Sequence, residues 1–318
     1  MTETVAYIRD SLKELYSPGE TQALVRLILE RVCGMTTSQL LLGKDTDLSD
    51  TERERIKEIV RGLRAYEPIQ YLLGVADFDG LELKVTPDTL IPRPETAELV
   101  ALVAADHQGS APRLLDIGTG SGCIAIALAK RLPEAELTAI DISPGALAVA
   151  EENAHRNGAR IRFERFDILS GEKPRFLHEQ PTSRSPGNGI LATSESRLGN
   201  EQKNIANEPI FSGNQLDAIV SNPPYVMERE KADMEPNVLR HEPGGALFVP
   251  DDNPLLFYQA IARFGKEHLR PGGRLYFEIN ALLGRETREL LEGEHYKNVE
   301  LIRDLYGRDR FIKATIVV

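Results

Sequence analysis

Apolar residues recur at three- and four-residue steps through the first 71 positions: Val5, Ile8, Leu12 and Leu15, then Leu24, Leu27 and Ile28, then Ile56, Ile59, Val60 and Leu63. That period lays each set along one face of an α-helix, so residues 1–74 are read as a small all-helical domain. Ser49-Asp50-Thr51 offers caps for the last of these helices, and acids from Asp47 to Glu54 stand at its positive end. Ser17-Pro18-Gly19 and Leu42-Gly43 read as the turns between helices. Over residues 75–92 the pattern changes to alternation around Asp79-Gly80, which predicts a β-hairpin connector.

From residue 93 to 318 strand-like runs follow helix-like ones. Strands are expected at 113–117, 136–141, 161–167, 216–221 and 274–279, with helices at 123–131, 146–157 and 254–269, and the tail from 299 to 318 reads as two strands around Gly307. Strands alternating with helices predict an α/β fold: a mostly parallel, seven-stranded, Rossmann-like sheet covered on both faces and finished by an antiparallel edge. Residues 171–215 break the rhythm. They are rich in Ser, Asn, Gly and Pro and carry too little apolar surface to offset chain entropy, so a mobile insertion is expected there.

Composition narrows the function. The chain has 318 residues, 41% of them hydrophobic and 27% charged, which suits a globular protein with a real core. Its 38 Lys and Arg face 49 Asp and Glu, a formal net charge of -11 that disfavours a phosphate backbone as partner. The two cysteines, Cys33 and Cys123, are far apart, and the six histidines show no metal-ligand spacing, so no disulfide framework and no metal are expected. No signal-peptide core and no run of apolar residues long enough for a membrane span are present. The reading is a cytoplasmic protein without a membrane partner.

Two segments carry chemistry. The strand Leu114 to Ile117 runs into Gly118-Thr119-Gly120-Ser121-Gly122 and then into a helix, the arrangement in which glycines let the backbone approach a nucleotide. Here the glycines follow Gly-x-Gly-x-Gly, not the Gly-x-Gly-x-x-Gly of dinucleotide sites. Asp116, two residues before the first glycine, is awkward for a pyrophosphate and welcome to a cationic sulfonium, which favours S-adenosylmethionine. Asp141 ends the next strand, where a carboxylate can hold ribose hydroxyls; it could instead cap the helix after Ser143-Pro144. Asp167, ending the third strand, is read either as a neighbour of the adenine or as a turn residue.

The second segment is Ser221-Asn222-Pro223-Pro224-Tyr225, at the C-terminal end of the strand Leu216 to Ser221, where open α/β sheets build their sites. Two prolines stiffen the turn and remove two N–H donors, and proline also holds Asn222 extended. The Asn222 side-chain oxygen and the Pro223 carbonyl remain as a rigid pair of acceptors. Such a pair suits an NH₂ group whose lone pair is delocalised, because it aims the nitrogen and stabilises positive charge developing there. Tyr225 would give the planar group a flat wall.

These residues resemble the PrmC/HemK glutamine methyltransferases. The resemblance rests on Asn222 to Tyr225, Asp116 to Gly122, Asp141-Ile142-Ser143-Pro144, Leu90 to Thr96 (LIPRPET), Pro68 to Gly74 and Gly307 to Arg310, and spans about residues 66–312 apart from the insertion. It implies an S-adenosylmethionine-dependent methyltransferase fold and methylation of the side-chain amide of the Gln in the Gly-Gly-Gln motif of class 1 peptide chain release factors, with S-adenosylhomocysteine as product. It also implies that Gly118, Thr119, Gly120, Ser121, Gly122, Asp141, Asp167 and Asn222 hold the cofactor. By the same resemblance Asn222, Pro223, Pro224 and Tyr225 line the glutamine pocket, Arg93 to Thr96 sit close by, and the N-terminal helices dock the protein substrate. Where family members often carry Trp after the third-strand Asp, this chain has Ile168. Two other activities suit the same corner: a glutamine methyltransferase acting on a ribosomal protein, and an adenine amino-group methyltransferase acting on nucleic acid, which the acidic chain and its nearly neutral helical domain disfavour.

Overall fold

The computed structural model describes residues 2–36, 38–39, 48–171 and 216–317. The expected insertion beyond Gly171 and the Leu42-Gly43 turn lie outside the described residues. The first helices are α1 (Thr2–Leu12), α2 (Pro18–Cys33), α3 (Asp50–Arg64) and α4 (Ile69–Leu73). Their apolar stripes meet in a core of their own around Ile8, Leu12, Ile28, Ile56 and Ile59. Ser17-Pro18 proves to be a helix start and not a turn: Ser17 caps α2 and Pro18 takes its first position, where the missing N–H costs nothing. Ser49 alone caps α3, in a reciprocal pairing with Glu52 that satisfies two otherwise orphaned N–H groups.

The hairpin is β1 (Val75–Phe78) and β2 (Leu81–Lys84), turned by Asp79 and Gly80 at φ 50° and 76°. Both central residues at positive φ match the twist of the flanking strands. Pairing ends at Lys84 and does not run on to residue 92, because Thr86–Thr89 close a turn, with the Thr89 N–H donating to the Thr86 carbonyl at 2.9 Å, and Pro87 has no N–H to offer a ladder. The Tyr71 hydroxyl donates to the Thr89 carbonyl at 2.6 Å and Arg31 makes a forked contact with Asp77, so the helices, the hairpin and the following loop are tied together.

The remaining elements are α5 (Pro94–Asp106), β3 (Arg113–Ile117), α6 (Cys123–Arg131), β4 (Glu136–Asp141), α7 (Pro144–Arg156), β5 (Arg162–Arg165), β6 (Leu216–Ser221), β7 (Val226–Met227), α8 (Pro236–His241), β8 (Phe248–Val249), α9 (Leu256–His268), β9 (Leu269–Glu278), α10 (Gly284–Gly293), β10 (Tyr296–Arg303) and β11 (Asp309–Ile316). Seven strands form one sheet in the order β10-β11-β9-β6-β3-β4-β5. Six of them point the same way, and β11 alone runs antiparallel to both its neighbours, β9 and β10. The antiparallel strand thus sits one place in from the edge, and β10 forms the edge itself.

Alternate residues of the central strands feed opposite cores. Leu115, Ile117, Ile219 and Phe277 pack with Tyr258 and Ile261 of α9, whereas Leu114, Ala218, Val220 and Tyr276 pack with Leu99, Val103 and Leu128 of α5 and α6. Burial on both faces explains why these strands read as continuous apolar runs. Helices α5 and α10 are absent from the sequence reading. In α5, PETAELVALVAAD is apolar around most of its circumference, so its helical period is faint; in α10 only Gly284, Thr287 and Leu291 are buried.

Candidate active site

Strand order reverses between β3 and β6, and ligands of open α/β sheets bind outside the C-terminal ends of the strands at such a point. The glycine loop leaves β3 there and Asn222-Pro223-Pro224 leaves β6 beside it. Ile117 and Ser221 are partners in the parallel ladder, and the Ser221 hydroxyl donates to the Ile117 carbonyl at 2.6 Å. Across β3, the N–H groups of Gly118 and Thr119 donate to the Ile140 carbonyl at 2.9 and 3.1 Å. Both motifs are therefore anchored to the sheet by their first residues.

Together they border a cavity of about 470 Å³, within the usual range for small-molecule sites. Gly118, Thr119, Gly120, Ser121, Asp141, Asp167, Asn222, Pro223 and Pro224 all line it, as do Arg93, Thr96 and Ile168. Phe166 lines it too. Sequence reasoning passed over this residue, although an aromatic near the end of the third strand was the available signal; it supplies an aromatic surface close to Ile168.

The loop suits a ligand that comes close to backbone. Gly118 and Gly120 have φ of 73° and 55°, and a Cβ on either would stand in open space with no protein atom within 4 Å. Gly122 differs: at φ 82° it begins α6, and a Cβ would press within 3.0 to 3.3 Å of Ile126 and Ala150, so that glycine serves helix packing. Asp141 uses one carboxylate oxygen to accept from the Gly120 N–H and the other to accept from the Ser143 N–H, both at 2.9 Å. It braces the loop while still lining the cavity, and the cap of α7 is Ser143, not Asp141. Asp167 likewise closes a turn, accepting from the Leu169 N–H at 2.8 Å, and faces the same space.

Two residues are placed otherwise than the sequence reading has them. Asp116 is fully buried and does not line the cavity. Its Oδ2 accepts from the Thr119 hydroxyl at 2.7 Å, and burial pushes the carboxyl up to about 7 against that bond. It supports the loop from beneath and presents no face to a sulfonium. Tyr225 is not among the lining residues either; its ring packs against the core around Tyr258 and its hydroxyl donates to Glu278 at 3.0 Å. Arg93 pairs with the buried Glu242, which also accepts from the Ile91 N–H.

Glu278 was not foreseen. At the end of β9 and 1% exposed, it takes a bond from Tyr225 on Oε1 and from Thr96 on Oε2, the latter at 2.7 Å. Burial raises its pKa, opposed by the two hydroxyls and by Arg310. Asn222 Nδ2 donates to Thr96 Oγ1 at 3.3 Å. The residues present thus fit S-adenosylmethionine: an open, side-chain-free cradle, carboxylates at the ends of β4 and β5, and a donor-poor corner beside them.

Replacing Gly120 by Ala tests the cradle. The left-handed backbone costs about 1–2 kcal/mol, and the methyl enters the cavity, so titration calorimetry should show methyl-donor affinity reduced about tenfold or more while the melting temperature falls only a few degrees. Unchanged affinity would mean that the ligand does not approach this loop.

Comparison with known proteins follows the same outline. A family model described as the PrmC N-terminal domain matches residues 3–74, and one described as a methyltransferase domain matches residues 114–178. A release factor glutamine methyltransferase of Bacteroides thetaiotaomicron is 44% identical over 314 residues, covering 99% of each chain. Proteins of the same description from Flavobacterium psychrophilum and Streptococcus pneumoniae are 38% and 31% identical, covering 96% and 94% of this chain and 95% and 94% of their own.

Proposed function

The chain belongs to the release factor glutamine methyltransferases, and from that premise we propose that it moves a methyl group from S-adenosylmethionine to the side-chain amide nitrogen of the Gln in the Gly-Gly-Gln motif of class 1 peptide chain release factors. The observation that carries the reading is the meeting of the glycine loop and Asn222-Pro223-Pro224 around one cavity at the switch between β3 and β6.

Gly118 to Ser121 hold the cofactor's backbone-facing side, Asp141 its ribose, and Asp167 with Phe166 and Ile168 the region of its adenine, while Gly122 packs the helix behind them. S-adenosylmethionine, when bound, supplies an electrophilic methyl group. An amide nitrogen is a poor nucleophile because its lone pair is delocalised into the carbonyl. Asn222 Oδ1 and the Pro223 carbonyl accept its two N–H bonds, turn its lone pair toward the methyl carbon and stabilise the positive charge that grows on nitrogen. Pro223 and Pro224 bring no N–H that would repel that NH₂. The methylated nitrogen is strongly acidic, so its extra proton can pass to water afterwards.

The helical domain of residues 1–74 docks the release factor. Removing residues 1–70 is expected to raise KM for the release factor with kcat largely retained; unchanged KM in steady-state kinetics would reduce that domain to a cap. Among the described residues no helix is long and apolar enough to cross a membrane. The direct test is transfer of radiolabelled methyl to purified release factors, with the Gln of Gly-Gly-Gln replaced as control. Label on the Gln-bearing factor alone is expected, and label on a ribosomal protein or on nucleic acid in its place would overturn the assignment.

A further inference from the structure

The two ends of a carboxamide have nearly the same shape, so packing alone cannot decide whether Asn222 presents oxygen or nitrogen to the cavity; its hydrogen-bond partner must. That partner is Thr96 Oγ1, 3.3 Å from Asn222 Nδ2. A hydroxyl has one proton, and where Thr96 sends it is settled on its other side. Glu278 Oε2 lies 2.7 Å from Thr96 Oγ1, and Oε1 lies 3.0 Å from the Tyr225 hydroxyl. Both hydroxyls donate to Glu278, and a hydroxyl that has given its one proton can only accept from Asn222. The atom it meets must be the NH₂, which leaves Oδ1 at the opposite end of the amide.

Thr96 and Glu278 are 2% and 1% exposed, so water does not compete for these bonds and their polarity holds. Further contacts keep the carboxylate in place: the Tyr258 hydroxyl donates to the Glu278 main-chain carbonyl at 3.2 Å, and Asn280 Nδ2 donates to the Tyr225 carbonyl at 3.1 Å. The three groups come from distant parts of the chain, Thr96 from the first turn of α5, Asn222 from the end of β6 and Glu278 from the end of β9.

We propose that Glu278, acting through Thr96, is the positioning residue that sets the polarity of the Asn222 amide, so that the corner accepts hydrogen bonds and selects a glutamine amide over a carboxylate. This rests on the reading of Asn222 as the acceptor for the substrate NH₂.

Thr96→Val keeps the shape and removes the hydroxyl. Asn222 is then free to present Nδ2, and kcat should fall about tenfold or more with KM for the release factor nearly unchanged. Thr96→Ser, which keeps the hydroxyl, should restore most of it. A separate readout isolates polarity from stability: competition by the same release factor carrying Glu in place of the Gly-Gly-Gln glutamine. The unaltered protein should bind that factor much more weakly than the Gln form, and Thr96→Val should narrow the gap. Glu278→Gln, which leaves one acceptor for two hydroxyls, should narrow it as well and serves if Thr96→Val does not fold. A gap as wide in both variants as in the unaltered protein would overturn the role of Glu278 and Thr96. No gap in the unaltered protein would instead overturn Asn222 as acceptor, and this proposal with it.

Discussion

Replacing Asn222 by Ala is expected to lower kcat by roughly 10²–10³-fold, the range measured when one preorganised charge-stabilising hydrogen-bond partner is removed from an active site. On the proposed reading the side chain supplies one of two acceptors, and the side chains of Pro223 and Pro224 carry no polar atom to take its place. Methyl-donor affinity should fall far less, because the loop from Gly118 to Gly122 and Asp141 stay in place. Stability should also change little, since among the described residues the Asn222 side chain makes one hydrogen bond, at 3.3 Å. Single-turnover measurement at saturating cofactor separates these effects. Near-normal turnover would remove Asn222 from the chemistry and leave only the nucleotide-holding half of the site.

Asn153→Ala should produce the largest loss of stability. Asn153 is fully buried on α7, where its Oδ1 accepts from the Lys84 N–H at 2.6 Å and its Nδ2 donates to the carbonyls of Lys84 and Ser121, both at 2.9 Å. One side chain thus joins the hairpin, a helix of the sheet domain and the glycine loop. Truncation leaves three backbone polar groups without partners, and each unsatisfied group costs on the order of 1–3 kcal/mol. Allowing for water reaching part of the gap, we expect a loss of about 3–5 kcal/mol and a fall of roughly 10 °C in melting temperature. Methyl-donor affinity should weaken as well, because Ser121 belongs to the loop. A loss under about 1 kcal/mol in chemical denaturation would show that the loop and hairpin hold each other without this residue.

The effects differ because the two asparagines do different work. Asn153 satisfies all its protein neighbours and leaves nothing for a ligand. Asn222 uses its nitrogen on Thr96 and, on the proposed reading, keeps its oxygen for the substrate amide. The prolines that follow Asn222 mark it in the sequence, whereas nothing local marks Asn153, whose partners appear only in the fold.

Much of this architecture was legible beforehand for a local reason. The runs LLDI and DAIV are apolar because their strands are buried on both faces, and glycines or prolines must follow where the chain turns at the strand end. Hence the glycine loop, Asp141 and Asn222-Pro223-Pro224 could be placed at strand termini from spacing alone, and the parallel order then brings them together. Helix α5 escaped notice because its apolar residues nearly encircle it; the resemblance places Thr96 near the pocket, but its bonds to Glu278 and Asn222 do not show in the sequence.

Periodicity, glycine placement and the proline-fixed corner, all readable over a few neighbouring residues, determined the α/β class, the strand ends and the residues available for chemistry. The partners of those residues were decided by tertiary structure. Thr96 and Glu278 are 182 positions apart, Thr96 and Asn222 126, and Lys84 and Asn153 69, so no local pattern couples them. The depth at which Asp116 is buried, the withdrawal of Tyr225 behind the corner and the direction in which the Asn222 amide points all follow from sheet register and from which proton each buried hydroxyl must give away, and these exist only once the strands have paired.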